Sequence, residues 1–200
     1  MNAEGERVKR AIDVVGAAAG LALAAPILAL AACAIKLEDN GPVFFRQMRL
    51  GRGEEPFEVL KLRTMTVDAE KIRSDGVVEE GDPRITRVGA LLRRTAVDEL
   101  PQLWNVLRGE MSLVGPRPVP LPHLERYDER QRRRLEVRPG LTGWAQIHGR
   151  ASLPWPERIE LDVWYVEHRS LRLDASILAR TAGVLFRRDF VYRGEAGGWR

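Results

Sequence analysis

VVGAAAGLALAAPILALAACAI, residues 14–35, is a run of 22 residues without a charged side chain. A helix needs roughly 20 apolar residues to cross the hydrocarbon core of a bilayer, so this run is long enough to be a membrane helix. Pro26 lies near its middle, where a proline removes one backbone hydrogen bond and kinks a helix. The run therefore predicts a long apolar helix near the N-terminus, bent at Ala25 and Pro26.

Basic residues flank this run on both sides. They are Arg7, Lys9 and Arg10 before it, and Lys36, Arg46, Arg49 and Arg52 after it. Because positively charged residues stay on the cytoplasmic side of a membrane, both flanks are satisfied only if the helix enters the bilayer and returns to the same face. We therefore predict a re-entrant membrane helix over residues 1–36. A single kinked crossing and a helix buried in a protein core fit the pattern equally well.

The composition is that of a folded, mildly basic protein. Charged residues make up 30% and hydrophobic residues 44% of the 200 positions, which argues against disorder. The formal net charge of +4 suits phosphate-bearing substrates, anionic lipid headgroups or nucleic acid. A single cysteine, Cys33, excludes an internal disulfide, and the three histidines form no zinc-binding pattern.

The pattern after the apolar run predicts one hairpin and several helices. Residues 43–63 are two strand-forming runs around Gly51-Arg52-Gly53, which is typical of a β-hairpin, and the polar residues 74–84 predict a loop. From residue 85 the spacing is helical, with Ile85, Val88, Leu91 and Leu92 on one face, and a second helix is predicted over 99–108. Helices over 122–137 and near 174–187 are predicted to be basic and amphipathic, which fits a membrane surface or ordinary packing.

Two adjacent carboxylates, Asp98 and Glu99, stand in the segment RRTAVDELPQ, residues 93–102. In one interpretation Asp98 caps a helix, and Glu99 faces the helix dipole in the first turn. In the other, an ionised Asp98 attacks phosphorus to form an acyl phosphate, and both carboxylates bind a magnesium ion that bridges diphosphate oxygens. Nearby arginines would then neutralise charge on the phosphates.

Several short segments follow one another in a fixed order along the chain. They are KRAID (9–13), GPVFF (41–45), KLRTM (61–65), DPRIT (82–86), DELPQ (98–102), MSLVGPRP (111–118) and RPGLTGW (138–144), with Gln47, Asn105, Asp162 and Tyr165. In these segments the chain resembles the small monotopic phosphoglycosyl transferases, also called bacterial sugar transferases. Each segment is a weak signal by itself. The ordered set covers nearly the whole chain and is highly specific.

The resemblance implies a two-step reaction. The residue that matches Asp98 attacks the β-phosphate of a UDP-sugar, releases UMP and leaves a covalent aspartyl phosphosugar. A polyprenol phosphate then attacks this intermediate to give polyprenol-diphosphate-sugar. Glu99 completes the catalytic pair and, with Asp98, is expected to bind the required Mg2+. Arg117, in the Pro-Arg-Pro segment, is expected to bind phosphate.

Further basic and polar residues are candidates for substrate binding. Lys61, Arg63, Arg138 and Arg150 are expected to bind the diphosphate or a lipid headgroup, and Gln146 the nucleotide. A salt bridge at the surface is the alternative for each of the four basic residues.

The chain departs from the family pattern at two places. The family's membrane helix bends at a Ser-Pro pair, whereas this chain has Ala25-Pro26, so a serine hydroxyl that could stabilise the bend is missing. Ala96-Val97 replaces the usual polar-then-aliphatic pair before Asp98, a change that we expect to leave the chemistry intact.

Two other classes of protein fit part of the pattern. The pI of about 9.6 and the arginines at 130–134 fit a membrane-tethered nucleic-acid-binding module. A bitopic anchor protein whose acidic pair only caps a helix is the other alternative. Neither explains the DELPQ and Pro-Arg-Pro segments together.

We therefore expect an α+β, predominantly helical fold. A re-entrant membrane helix (residues 1–36) precedes a cytoplasmic catalytic domain (residues 37–200) with a small β-hairpin and amphipathic helices at the membrane surface. The expected partners are a UDP-sugar, polyprenol phosphate and membrane lipid, with no nucleic acid. The expected location is the cytoplasmic face of the bacterial inner membrane.

Overall fold

The computed structural model describes residues 1–67, 69, 81–149 and 153–185. Within these residues the α-helices are α1 (Ala3–Asp39), α2 (Arg87–Thr95), α3 (Gln102–Arg108), α4 (Glu129–Arg132), α5 (Trp144–Ile147), α6 (Trp155–His168) and α7 (Leu171–Leu185). The strands are β1 (Phe44–Leu50), β2 (Pro56–Leu62), β3 (Ser112–Val114) and β4 (Gly140–Thr142). The prediction of an α+β, predominantly helical fold is confirmed.

The apolar run lies within α1, a helix of 37 residues that begins before the run and ends after it. Asn2 caps its start by accepting a hydrogen bond from the Gly5 backbone N–H, and the helix ends at Asn40 in the left-handed conformation. The helix has the length and composition needed to cross a membrane. The helix continues through Ala25 and Pro26. The bend at this pair, the re-entrant path and the division at residues 36 and 37 stay predictions.

The residues of α1 differ in exposure. Small residues let the body approach closely: an added Cβ would come within 2.7 Å of Leu113 at Gly16 and within 3.1 Å of Leu103 at Gly20. Farther along the helix, Leu23 is 79% and Leu30 is 72% exposed. The alternative of a helix wholly buried in a protein core therefore does not hold.

The predicted hairpin is confirmed. Strands β1 and β2 pair antiparallel, with Phe44 opposite Leu62 at one end and Leu50 opposite Pro56 at the other. The turn uses Gly53 at φ 67°, a backbone angle that glycine adopts without steric cost. On β2, Phe57 and Val59 are buried in a cluster that also holds Ala17 of α1, so the hairpin packs against α1.

The helix predicted over residues 122–137 is wrong as a continuous element. The chain instead forms a 3-10 turn (Leu121–Arg126), then α4, then a second 3-10 turn (Arg133–Leu135). Asp128 caps the start of α4 in a capping box. The Asp128 side chain accepts a hydrogen bond from the Gln131 backbone N–H, and the Gln131 side chain accepts one from the Asp128 backbone N–H. A new helix start inside the run breaks the regular spacing.

The apolar residues of that segment pack inside the protein. Tyr127 and Leu135 lie in a core cluster with Trp155 and Ile159 of α6.

Helices α2 and α7 agree with the predictions in part. Leu91 of α2, which the spacing places on one face with Val88 and Leu92, is 60% exposed. Helix α7 confirms the helix predicted near 174–187, with earlier bounds. Residues 74–80 of the predicted loop lie outside the described residues.

Parallel strands β3 and β4 hold the segment that leads to Arg117. Backbone bonds join Ser112 N–H to Pro139 O and Gly115 N–H to Thr142 O, each at 2.9 Å. A Cβ at Gly115 would come within 2.4 Å of the Arg138 carbonyl oxygen, so only glycine allows this approach.

Candidate active site

A short turn between α2 and α3 carries the acidic pair. Helix α2 ends at Ala96 in the left-handed conformation (φ 54°), and a 3-10 turn, Val97–Glu99, follows. Asp98 and Glu99 are each only 9% exposed. Helix α3 begins at Gln102 with Pro101 as its N-cap. The interpretation of Asp98 as a helix cap is therefore wrong.

Glu99 is held by two cations from different parts of the chain. Lys61 Nζ, at the end of β2, donates to Glu99 Oε1 at 2.8 Å. Arg117 donates from Nη1 to Oε2 at 3.2 Å and from Nη2 to Oε1, a bidentate pair. The Glu99 carboxylate thus brings together two positive charges that are far apart in sequence.

Asp98 is in the opposite situation. Among the residues that the structure describes, none donates a hydrogen bond to its carboxylate. Burial, and then the negative charge of Glu99, raise the pKa of Asp98 to about 6, against the opposing effect of Lys61, Arg93 and Arg117. A carboxylate with this pKa is mostly ionised at neutral pH.

The charged groups of the site shift one another's pKa values. Burial lowers the pKa of Lys61, and the charge of Glu99 partly offsets this. The charge of Glu99 raises the pKa of Arg117. Arg93, whose Nε donates to Thr64 Oγ1 at 2.8 Å, acts electrostatically on Asp98. Arg93 was not among the predicted site residues. Its position about one helical turn before the acidic pair is the sequence signal that could have identified it.

Asn105 ties strand β2 to the helix that follows the acidic pair. Its Oδ1 accepts from the Leu60 backbone N–H at 3.1 Å, and its Nδ2 donates to the Glu58 carbonyl at 2.7 Å. These are the two bonds that a neighbouring strand would make with β2. Asn105 is only 2% exposed, so it holds the strand that presents Lys61 next to Glu99.

Of the predicted site residues, the structure brings together Asp98, Glu99, Lys61 and Arg117. Arg63 instead pairs with Asp39 and donates to the Pro42 carbonyl at 2.6 Å, at the end of α1. Arg138 donates to the Gly109 carbonyl at 2.9 Å, and burial lowers its pKa.

The two remaining candidates lie in the segment after β4. Gln146 is buried, and neither polar atom of its side-chain amide has a hydrogen-bond partner among the described residues. Arg150 lies outside the described residues. Substrate binding by Arg63, Arg138, Gln146 and Arg150 stays a prediction.

Asp98 and Glu99 fit a magnesium ion only together with a ligand from the substrate. The described residues contain no group of three or more acidic, histidine or cysteine side chains that could hold a metal. Magnesium in phosphate-transfer sites is usually held by one or two carboxylates and by substrate phosphates. Asp98 and Glu99 would be the two carboxylates of such a site, and magnesium binding by them stays a prediction.

The arginines at 130–134, on which the nucleic-acid alternative rests, are paired with carboxylates. Arg130 pairs with Glu160, Arg132 with Glu54, Arg133 with Glu136 and Glu167, and Arg134 with Asp162. These ion pairs neutralise the positive charge that would attract a phosphate backbone.

Comparisons with known proteins identify the family that the chain resembles. The model of a family described as bacterial sugar transferase matches residues 4–188. The chain is 44% identical over 174 residues to an uncharacterized sugar transferase, EpsL, of Bacillus subtilis, covering 87% of this chain and 85% of that protein. It is 48% identical over 196 residues to the UDP-glucose:undecaprenyl-phosphate glucose-1-phosphate transferase of Caulobacter vibrioides, covering 92% and 72%.

A third relative has a different donor in its name. The chain is 39% identical over 180 residues to the UDP-N-acetylgalactosamine-undecaprenyl-phosphate N-acetylgalactosaminephosphotransferase of Aeromonas hydrophila. The match covers 87% of this chain but only 42% of that protein.

Proposed function

The chain belongs to the bacterial sugar transferase family, and we propose that it transfers a sugar-1-phosphate from a UDP-sugar to undecaprenyl phosphate. The relatives from Caulobacter vibrioides and Aeromonas hydrophila carry this kind of activity in their names, with glucose and N-acetylgalactosamine as the respective sugars. The family therefore supports the reaction type and leaves the sugar open. The product, a lipid-linked diphosphate sugar, would begin the assembly of a surface glycan or glycoconjugate.

One observation carries the proposed mechanism: the buried carboxylate of Asp98 has a pKa of about 6 and accepts no hydrogen bond from any described residue. Its neighbour Glu99 is occupied by Lys61 and Arg117. Leaving a buried carboxylate without donors costs stability, and such a group is a candidate nucleophile. Asp98 is therefore the group of the pair that attacks phosphorus.

The reaction balances in two displacements at one phosphorus. An Asp98 carboxylate oxygen forms a bond to the β-phosphorus of the UDP-sugar, and the bond from that phosphorus to the bridging oxygen breaks, so UMP leaves with the electron pair. An aspartyl phosphosugar remains. A phosphate oxygen of undecaprenyl phosphate then attacks the same phosphorus and expels the Asp98 carboxylate, which restores the enzyme.

Lys61 and Arg117 supply the positive charge that these displacements need. Negative charge grows on the UMP oxygen as it leaves, and two cations fixed in a buried site stabilise it more than water would. Before the substrate binds, Glu99 holds both cations in place. The side chain of Arg117 is 39% exposed, so it can reach an incoming diphosphate while its partner stays buried.

Asp98 and Glu99 would hold magnesium that arrives with the diphosphate. When bound, such an ion would neutralise negative charge on the diphosphate. Chelation of divalent metal should therefore stop turnover. Full activity in excess chelator would remove magnesium from the scheme.

Contacts at both ends of α1 support a monotopic arrangement on the cytoplasmic face of the inner membrane. Near its start, Arg10 donates to the Val106 carbonyl at 2.6 Å. At its end, Glu38 accepts from the Arg87 backbone N–H at 2.8 Å, and Asp39 pairs with Arg63. Because both ends contact the same body, a re-entrant path satisfies these contacts and the basic flanks together.

A transfer assay tests the proposed function. Detergent-solubilised protein is mixed with undecaprenyl phosphate, magnesium and one of several UDP-sugars labelled in the sugar, and the label in the lipid fraction and the released nucleotide are measured. We expect labelled lipid and UMP with at least one donor. Release of UDP instead of UMP would mean transfer of the sugar without its phosphate and would contradict the proposal.

The matched variants for this assay are Asp98→Asn and Glu54→Gln. Asp98→Asn should give neither labelled lipid nor UMP. Glu54 forms an exposed ion pair with Arg132 at 2.7 Å, so its substitution should leave transfer unchanged.

A further inference from the structure

A buried ion pair lies directly behind the segment that carries Arg117. The Arg134 side chain is 1% exposed and that of Asp162, on α6, is 2% exposed. Arg134 donates to Asp162 Oδ2 from Nε at 3.1 Å and also from Nη2. Since the desolvation of two buried charges can exceed their attraction, such a pair is weak evidence for stability alone.

The other contacts of Arg134 indicate what else it does. Its Nη2 donates to the backbone carbonyl of Arg117 at 3.0 Å, and its Nη1 donates to the Tyr127 hydroxyl at 2.5 Å. A guanidinium is a planar fork whose donors keep fixed relative directions. Asp162 orients that fork, so the donor directed at Arg117 is fixed as well.

The bond to Arg117 continues a series that anchors residues 112–117. Strand β4 and its flanks bind Ser112, Gly115 and Pro116, the last through the Gly140 N–H at 2.8 Å. The next carbonyl along the chain is that of Arg117, which Arg134 holds. Pro116 and Pro118 restrict the backbone on both sides, so this one bond leaves the Arg117 backbone little freedom.

We propose that Arg134, oriented by Asp162, is a positioning residue that fixes the backbone of Arg117 so that the Arg117 guanidinium reaches Glu99 and the donor diphosphate. The inference rests on the proposed function, because it concerns the transfer reaction. Arg134 acts through Arg117, so its effect should disappear when Arg117 has no guanidinium to place.

A double-variant cycle measures this dependence. Arg134→Lys keeps the positive charge next to Asp162 but lacks the fork that reaches both Asp162 and the Arg117 carbonyl. In the otherwise wild-type protein we expect kcat/KM for the UDP-sugar to fall by about tenfold, the size of effect typical of losing a hydrogen bond to a charged group. In the Arg117→Ala background the same substitution should cause less than a twofold further loss.

Arg133→Lys is the matched control. Arg133 is adjacent in sequence and also pairs with an acidic residue of α6, Glu167, but its side chain is 41% exposed. Its substitution should change kcat/KM by less than twofold in both backgrounds. A similar tenfold loss for Arg133→Lys would show a general effect of arginine replacement in this segment and would overturn the inference.

A second design covers the possibility that Arg134→Lys fails to fold. In Arg134→Met with Asp162→Leu, both charges are replaced by apolar groups, which buried ion pairs often tolerate without loss of stability. The melting temperature should stay near that of the wild type while kcat/KM remains about tenfold low, because the bond to the Arg117 carbonyl is still absent. Recovery of wild-type kcat/KM would mean that the pair only stabilises the fold.

Two further outcomes separate this inference from the proposed function. If the wild type is active and Arg134→Lys loses tenfold in both the wild-type and the Arg117→Ala backgrounds, the positioning role is wrong and the proposed function stands. If the wild type transfers no sugar-phosphate with any donor, the proposed function fails and the inference fails with it.

Discussion

Two buried carboxylates of this molecule, Asp98 and Asp162, have opposite surroundings. Asp162 is 2% exposed and its Oδ2 accepts two hydrogen bonds from the buried Arg134. Asp98 is 9% exposed, its carboxylate accepts no hydrogen bond from the described residues, and its pKa is raised to about 6. A buried charge that only supports the fold is normally paired. This difference fits an organising role for Asp162 and the proposed role of Asp98 as the nucleophile.

The largest expected effect is on catalysis by Asp98→Asn. Loss of the attacking oxygen should lower turnover by roughly a thousandfold or more, as for other nucleophile substitutions. The free energy of unfolding should stay the same or rise by up to about 3 kcal/mol at pH 7.5, because the neutral amide avoids the burial of a charge. Transfer assays and thermal melting of the same preparation measure both. A less stable Asp98→Asn protein would mean that Asp98 supports the fold as Asp162 does.

The complementary substitution, Asp162→Asn, should lower the stability more than Asp98→Asn does, and it should lower kcat/KM by about tenfold at most, through Arg134. It leaves the Arg134 charge buried without its partner, which typically costs about 3–5 kcal/mol of unfolding free energy. Denaturant unfolding in detergent measures this loss. A variant as stable as the wild type would remove the distinction drawn between the two carboxylates.

The pH dependence of the rate should follow Asp98. Attack requires the ionised carboxylate, and the pKa of Asp98 is raised to about 6. The logarithm of kcat/KM should therefore be level near pH 7.5 and fall by about one for each pH unit below 6. An ordinary, unshifted aspartate would keep the rate level to near pH 4, and such a profile would contradict the environment described for Asp98.

The contribution of Asp98 to stability should change with pH in the opposite direction from its contribution to activity. A carboxyl group whose pKa is higher in the folded state binds its proton more tightly there, so its contribution to stability falls as the pH rises from about 4 to about 6. The difference in stability between wild type and Asp98→Asn should therefore be small at pH 4 and grow up to pH 6. A constant difference over this range would point to another cause.

The smallest expected effect is at the turn that presents the acidic pair. Ala96 adopts φ 54°, a left-handed conformation that costs a residue with a Cβ about 1 kcal/mol. Ala96→Gly should therefore raise the unfolding free energy by up to about 1 kcal/mol, less the extra entropy of glycine in the unfolded chain. Thermal melting measures this, and kcat should not change. A loss of activity would show that the site needs the Cβ of Ala96.

The sequence identified the candidate site residues better than the contacts that support them. Lys61, the Asp98-Glu99 pair and Arg117 were identified from short ordered segments, and the structure places Lys61 and Arg117 in contact with Glu99. Arg134 was predicted only as one of several arginines around an amphipathic helix, because a helical pattern does not reveal that one of them is buried against Asp162, 28 residues away. Pairing at that distance depends on how the helices pack.

Helical periodicity led to a wrong prediction in two segments of the sequence. The run over 122–137 keeps helical periodicity, but the capping box at Asp128 starts a new helix and divides it. Leu91 matched the buried face of α2 by spacing, yet it is 60% exposed, on a helix that packs against α1. Periodicity shows that a face is apolar, and it does not show whether protein or lipid covers it.

The most direct measurement of the central claim is intact-protein mass spectrometry after mixing the protein with a UDP-sugar and magnesium without undecaprenyl phosphate. We expect a mass gain of one sugar-phosphate, located at Asp98 by fragmentation, absent from Asp98→Asn and lost when undecaprenyl phosphate is added. An enzyme that releases UMP only in the presence of the lipid and never carries the added mass would contradict the covalent mechanism.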